Sequence, residues 1–162
     1  MAVRLLLKKY KKAIRFIYKK YANSGYGRKA DTFAAFQVNK MKINITDLWT
    51  IRRDYLSKMV SKEELTALIR LVNTVILHNK QETRALEFEG FEHFFMQVAV
   101  FSYSKPPNDL RHLPPVHLIQ MLINHFRETL AKKGGNTTFF DNPDTTTFGD
   151  SEVNDAINER LR

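Results

Sequence analysis

The residue types and spacings of this chain allow two kinds of chemistry: recognition of opposite charge and, in outline only, coordination of a metal. The first thirty residues hold ten Lys or Arg and no Asp or Glu. These are Arg4, Lys8, Lys9, Lys11, Lys12, Arg15, Lys19, Lys20, Arg28 and Lys29. The other 132 residues carry sixteen basic and seventeen acidic groups, so the formal charge of +9 belongs to one segment. A field that local selects an acidic partner, whether a protein surface, a nucleic acid or an anionic membrane. Arg4, Lys8, Lys11, Lys12, Arg15, Lys19 and Lys20 are the candidate contacts.

The metal-like outline lies between two apolar periodic segments. The piece Leu86-Glu87-Phe88-Glu89-Gly90-Phe91 reads as the end of an EF-hand loop and the start of its exit helix. The twelve-residue loop is then Asn79–Gly90. Arg84 stands where Gly makes the sharp turn, and Gly90 stands where a bidentate Glu is required. Asn79, Gln81 and Thr83 put no carboxylate at the first three ligand positions. The expectation is a degenerate hand kept for its packing, with no metal and no cofactor. His117 and His125 lie two turns apart on one helical pattern, whereas ligand pairs usually sit at i and i+4. The chain has no Cys, no Gly-x-Ser-x-Gly elbow and no phosphate-binding glycine loop. No catalytic residue and no small-molecule substrate are expected.

Helices must position these groups. Over residues 3–22, Val3, Leu6, Leu7, Tyr10, Ala13, Ile14, Ile17, Tyr18 and Tyr21 fall on one side at helical spacing, and the basic residues fall on the other. Leu5 and Phe16 break the pattern by joining the basic side. Asp31-Thr32 predicts a short helix carrying Phe33 and Phe36. Thr46-Asp47 predicts the next start, and Ser61 with Glu64 forms a capping box for a helix to about Leu77. A polar loop leads to a Phe-rich helix, 88–103, that is apolar almost all round and should be the most buried element. Pro114-Pro115 opens a last long helix and Gly134-Gly135 ends it. The fold expected is all-α: a single domain over 1–133, built on a degenerate EF-hand-like helical pair with additional N- and C-terminal helices. Residues 134–150 read as a linker or docking arm without regular structure, pegged by Phe139, Phe140 and Phe148, and 151–162 as a short C-terminal helix. No stretch approaches eighteen uncharged apolar residues, so no membrane span is expected, and no secretory signal is read at the N-terminus.

The string Phe33-x-x-Phe36, then Trp49 and Asp54, then Leu86-x-Phe88-x-x-Phe91 with Ala99 following, resembles the EF-hand-like core of the tubulin polymerization-promoting protein family. The resemblance covers roughly residues 30–102. The segment Lys62-Glu63-Glu64-Leu65-Thr66 departs from the family's pattern, and the basic helix and the region 103–162 lie outside it. It implies a non-enzymatic protein of the cytoskeleton, microtubule-associated and placed in the cytoplasm and the ciliary or flagellar axoneme. The basic helix would then meet tubulin or a larger acidic axonemal assembly. The alternative reading is a basic accessory subunit of a ribonucleoprotein or of a mitochondrial assembly, with RNA as the less favoured partner.

Overall fold

Helical periodicity governs this chain almost everywhere. The computed structural model describes residues 2–22, 42–78 and 85–143. Its elements are α1 (Ala2–Lys9), α2 (Lys11–Ala22), β1 (Ile43–Asn44), α3 (Ile45–Ile51), α4 (Lys62–Leu71), β2 (Ala85–Leu86), α5 (Phe88–Ser104), α6 (Pro115–Lys132) and α7 (Thr138–Asp141). Helices α3 and α4 each close in a π-helical turn, Arg52–Leu56 and Val72–Ile76. Among the described residues the architecture is all-α apart from one antiparallel pair of two-residue strands. The helices expected at 31–36 and 151–162, and the loop 79–84, lie outside the described residues.

The strand pair sets the centre of the fold. Ile43 stands opposite Leu86 and Asn44 opposite Ala85. Each strand runs straight into a helix, β1 into α3 and β2 into α5. The two connections that lead into α3 and α5 are thus tied together through one buried aliphatic residue each. Helix α5 lies in the middle and packs on α6, α4, α2 and β2. Phe91, Phe94, Phe95, Val98 and Ala99 are buried, as their spacing predicts, while Val100 and Phe101 are only half-buried. Helix α6 adds Leu118, Ile119, Leu122, Ile123, Phe126 and Leu130 to the same core.

Local sequence fixes the helix ends. At α4, the Ser61 side chain accepts the Glu64 N–H at 3.1 Å, and the Glu64 carboxylate accepts the Ser61 N–H at 3.0 Å. Lys105 at the end of α5 reaches both Glu64 oxygens at 3.1 Å, so the cap also ties two helices together. Burial works to raise the Glu64 carboxyl, but the Ser61 and Lys105 donors outweigh it and hold it below the usual range. At α6, Gly134 adopts φ +73°. Gly134 N–H bonds to Ala131 O at 3.0 Å and Gly135 N–H to Leu130 O at 2.9 Å, the two bonds of a Schellman ending. Space at Gly134 is open, so only its backbone angle selects glycine there. Gly134→Ala should therefore lower stability by about 1–2 kcal/mol in urea denaturation, and a neutral result would mean the ending is not retained in solution.

The calcium-like corners are given over to packing and capping. Gly90, at the place of the bidentate Glu, is buried, and a Cβ there would lie 3.1 Å from Leu77 and 3.2 Å from Leu86. The equivalent place after β1 is Asp47, which is 5 % exposed and whose carboxylate accepts the Asn44 N–H at 3.1 Å. Adding millimolar Ca²⁺ should accordingly leave the melting temperature unchanged. A clear stabilisation would show that the Asn79–Gly90 alignment is wrong.

Three expectations require correction. The helix over 3–22 is two helices with a turn at Tyr10, although Tyr10 N–H still bonds to Leu6 O and Ile14 N–H to Tyr10 O, both at 3.0 Å. The halves lean on different supports, α1 on α6 and α2 on α3, α5 and α7. Helix α3 begins before Thr46, because Asn44 is its cap and accepts the Asp47 N–H at 3.0 Å. The stretch from 136 is not irregular throughout: Thr138–Asp141 forms the turn of helix α7, which packs on α2.

A candidate docking face on the first two helices

The basic residues stand where they do because the apolar sides of α1 and α2 are already used. Ala13, Ile14, Ile17, Tyr18, Tyr21 and Ala22 of α2 are buried, and Val3, Leu6, Leu7 and Tyr10 are half-buried against the same core. Two tyrosines pin α2 in place. Tyr18 donates its hydroxyl to Leu86 O at 3.3 Å, and burial with the nearby Glu87 pushes its pKa up to about 12. Tyr21 donates to Asp54 Oδ2 at 2.6 Å, and burial foremost, then that carboxylate, pushes the phenol far above its usual range. Burial works to raise Asp54, but Tyr21, Arg53 and Lys133 outweigh it and hold its carboxyl below the usual value. A hydroxyl that stays protonated bonded to a carboxylate that stays ionised makes a durable tether.

With the inner side fixed, Arg4, Lys8, Lys9, Lys11, Lys12, Arg15, Lys19 and Lys20 are all exposed. None of the described residues of α1 or α2 is acidic. The predicted contacts do not form a uniform set. Arg15 lies over the Phe88 ring, 4.7 Å from its centre. Arg15 and Lys11 also offset the half-buried Glu92, whose carboxyl burial pushes up. Arg15 is thus partly engaged within the chain. Lys9 and Lys20 lie 5.5 and 5.9 Å over the rings of their neighbours Tyr10 and Tyr21.

The predicted aromatic anchors separate. Phe140 is 6 % exposed and belongs to the chain's own core, so it cannot serve as an outward anchor. Phe139 is 37 % exposed and its ring lies 5.4 Å from that of Phe16. The Asp141 carboxylate holds this turn by accepting from Arg127 on α6 and from Thr137. Phe148 lies outside the described residues. Phe16, anomalous on a basic helix face, is explained by the Phe139 ring that covers it.

The two histidines that share a helical pattern in the sequence stand in different surroundings. His125 Nε2 donates to Tyr55 O at 2.6 Å, while His117 is exposed, so the two do not share a site. Among the described residues no group of three or more His, Asp or Glu could hold a metal ion. None of the helices within the described residues is long and apolar enough to cross a membrane. Sequence reasoning passed over a shallow groove of about 440 Å³ lined by Trp49, Lys62, Glu63, Thr66, Ala67 and Arg70. There the Lys62 ammonium lies 5.3 Å over the Trp49 ring, and the Trp49 Nε1–H has no partner. Nothing in the linear spacing of those residues marks them as one surface. Compared with known proteins, the chain matches no family model, no curated protein and no solved structure.

Proposed function

We propose that this protein is a non-enzymatic adaptor that docks on an acidic protein surface through the exposed side of α1 and α2, with tubulin in the ciliary axoneme as the first candidate. One observation carries the reading. Eight basic side chains and no acidic one occupy the solvated side of two helices whose apolar side the core consumes. Ordinary surface helices intersperse both signs, because like charges four residues apart repel. Holding that repulsion on a rigid face makes sense for a surface that meets negative charge. A membrane-surface helix would need its broad apolar face free for insertion, and here that face is buried along α2 and packed half-buried against the core along α1. The choice of tubulin rests on the resemblance in the EF-hand-like core and on the Glu-rich exterior that tubulin presents.

Co-sedimentation with microtubules across a salt series tests this. Binding should fall steeply as salt rises, and should weaken when tubulin's acidic tails are removed. RNA should compete poorly. Tight RNA binding without microtubule binding would replace the proposal with the ribonucleoprotein reading.

A further inference from the structure

An apolar ridge runs through the middle of the basic face. At about 3.6 residues per turn, Leu5 and Phe16 fall on one line along α1 and α2. The backbone bonds through Tyr10 keep the two helices in step. Lys12 and Lys19 fall to one side of that line, Lys9 and Lys20 to the other, and all four are exposed. Leu5 is 41 % exposed, and the Phe139 ring, 37 % exposed, extends the ridge beside Phe16. From Leu5 to Phe16 the ridge spans about 16 Å at a rise of about 1.5 Å per residue. Single exposed apolar side chains are normal on any protein. Here Leu5 and Phe139 line up with the half-buried Phe16 inside the acid-free side of α1 and α2, and α7 is fastened by Phe140 and Asp141 so that Phe139 stays outside.

We infer that the segment this face binds is acidic and also carries an aromatic or aliphatic side chain, which seats on the Leu5–Phe16–Phe139 ridge between the two lysine rows. The inference rests on the docking reading above and names the chemistry of the partner. The lysines attract glutamates or aspartates from either side, and they are too close to the ridge for a broad lipid-inserting face. Dewatering one apolar side chain on the ridge adds affinity that salt does not screen, so the face can tell an acidic segment with an apolar residue from bare polyanion.

The test uses the full chain and two fluorescent peptides of equal length and charge, read by anisotropy at about 0.15 M salt. One peptide is glutamate with serine spacers; in the other, two serines are replaced by Leu and Phe. The mixed peptide should bind about tenfold more tightly, the order expected for half-burying one large apolar side chain. Phe139→Ser and Leu5→Gln should each reduce it toward the level of the glutamate–serine peptide, whose own binding stays the same. Because Phe139→Ser can loosen α7, Leu5→Gln keeps the test decisive: its side chain is 41 % exposed and lies outside the buried core. Equal binding of the two peptides to the wild type overturns this inference and leaves the docking reading intact. Binding of neither peptide overturns both. Leu5-dependent binding to phosphatidylserine vesicles, with no preference between the peptides, overturns the inference in favour of a lipid surface.

Discussion

Phe126→Ala should cost about 3–5 kcal/mol of folding stability, the range for truncating a fully buried Phe. Phe126 is 1 % exposed and sits where three helices meet. Its ring stacks on Tyr55 with centres 4.5 Å apart and planes 11° from parallel, and it lies 5.2 Å from Phe95 of α5. Next to it, His125 holds the Tyr55 carbonyl, so the stack is fixed from the backbone as well. Removing the ring leaves a cavity that neighbours already tied to α3, α5 and α6 cannot collapse into. Against a domain stability of roughly 5–15 kcal/mol, this change alone brings the protein to the edge of unfolding. Urea denaturation followed by circular dichroism gives the loss directly. Leu5→Ala, at a site 41 % exposed, is the control and should change stability by less than about 0.5 kcal/mol. A loss below about 1 kcal/mol for Phe126→Ala would mean that α6 does not pack on α5 as described.

Much of this core is legible in the sequence because it is written in short-range spacing. The Phe-rich run gives α5, the Pro114–Pro115 and Gly134–Gly135 pairs bracket α6, and Ser61 with Glu64 marks the start of α4. Each of these signals involves residues within one or two turns of each other. What stayed hidden depends on pairings far apart in the chain. Strands of two residues are too short to show alternation, so β1 and β2 could not be seen before Ile43 met Leu86. The cap at Asn44 uses Asp47 in place of the usual Glu or Gln, and that shifts the start of α3. The tether from Tyr21 to Asp54 joins residues thirty-three positions apart. The same holds for the docking face. The charges of α1 and α2 are plain in the sequence, but Phe16 looks like an error of patterning until Phe139 is seen beside it. Conversely, Phe139 and Phe140 look alike in sequence, and only the fold sends one outward and the other into the core.

Reversing Arg4, Lys8 and Lys19 to Glu should abolish binding to an acidic protein surface while leaving the fold intact. These three share one side of α1 and α2 and are exposed. The change leaves out Arg15 and Lys11, which offset Glu92 and would confuse a loss of binding with a loss of packing. It also leaves Leu5, Phe16 and Phe139 in place, so any effect belongs to charge alone. The three reversals lower the formal charge of +9 by about six units, all of it on the proposed docking side. Exposed charges contribute little to stability, so the melting temperature should stay within a few degrees of wild type. Binding has a different dependence. Charges across an interface set the encounter rate, and like charges brought face to face repel at a cost of several kcal/mol. Co-sedimentation of the variant with microtubules should therefore fall to background at physiological salt. At low salt, where the Debye length grows from about 8 Å toward about 30 Å, the wild type should gain affinity far more steeply than the variant. If the variant keeps its melting temperature and binds as wild type does, the basic side of α1 and α2 is a solvated surface and nothing more.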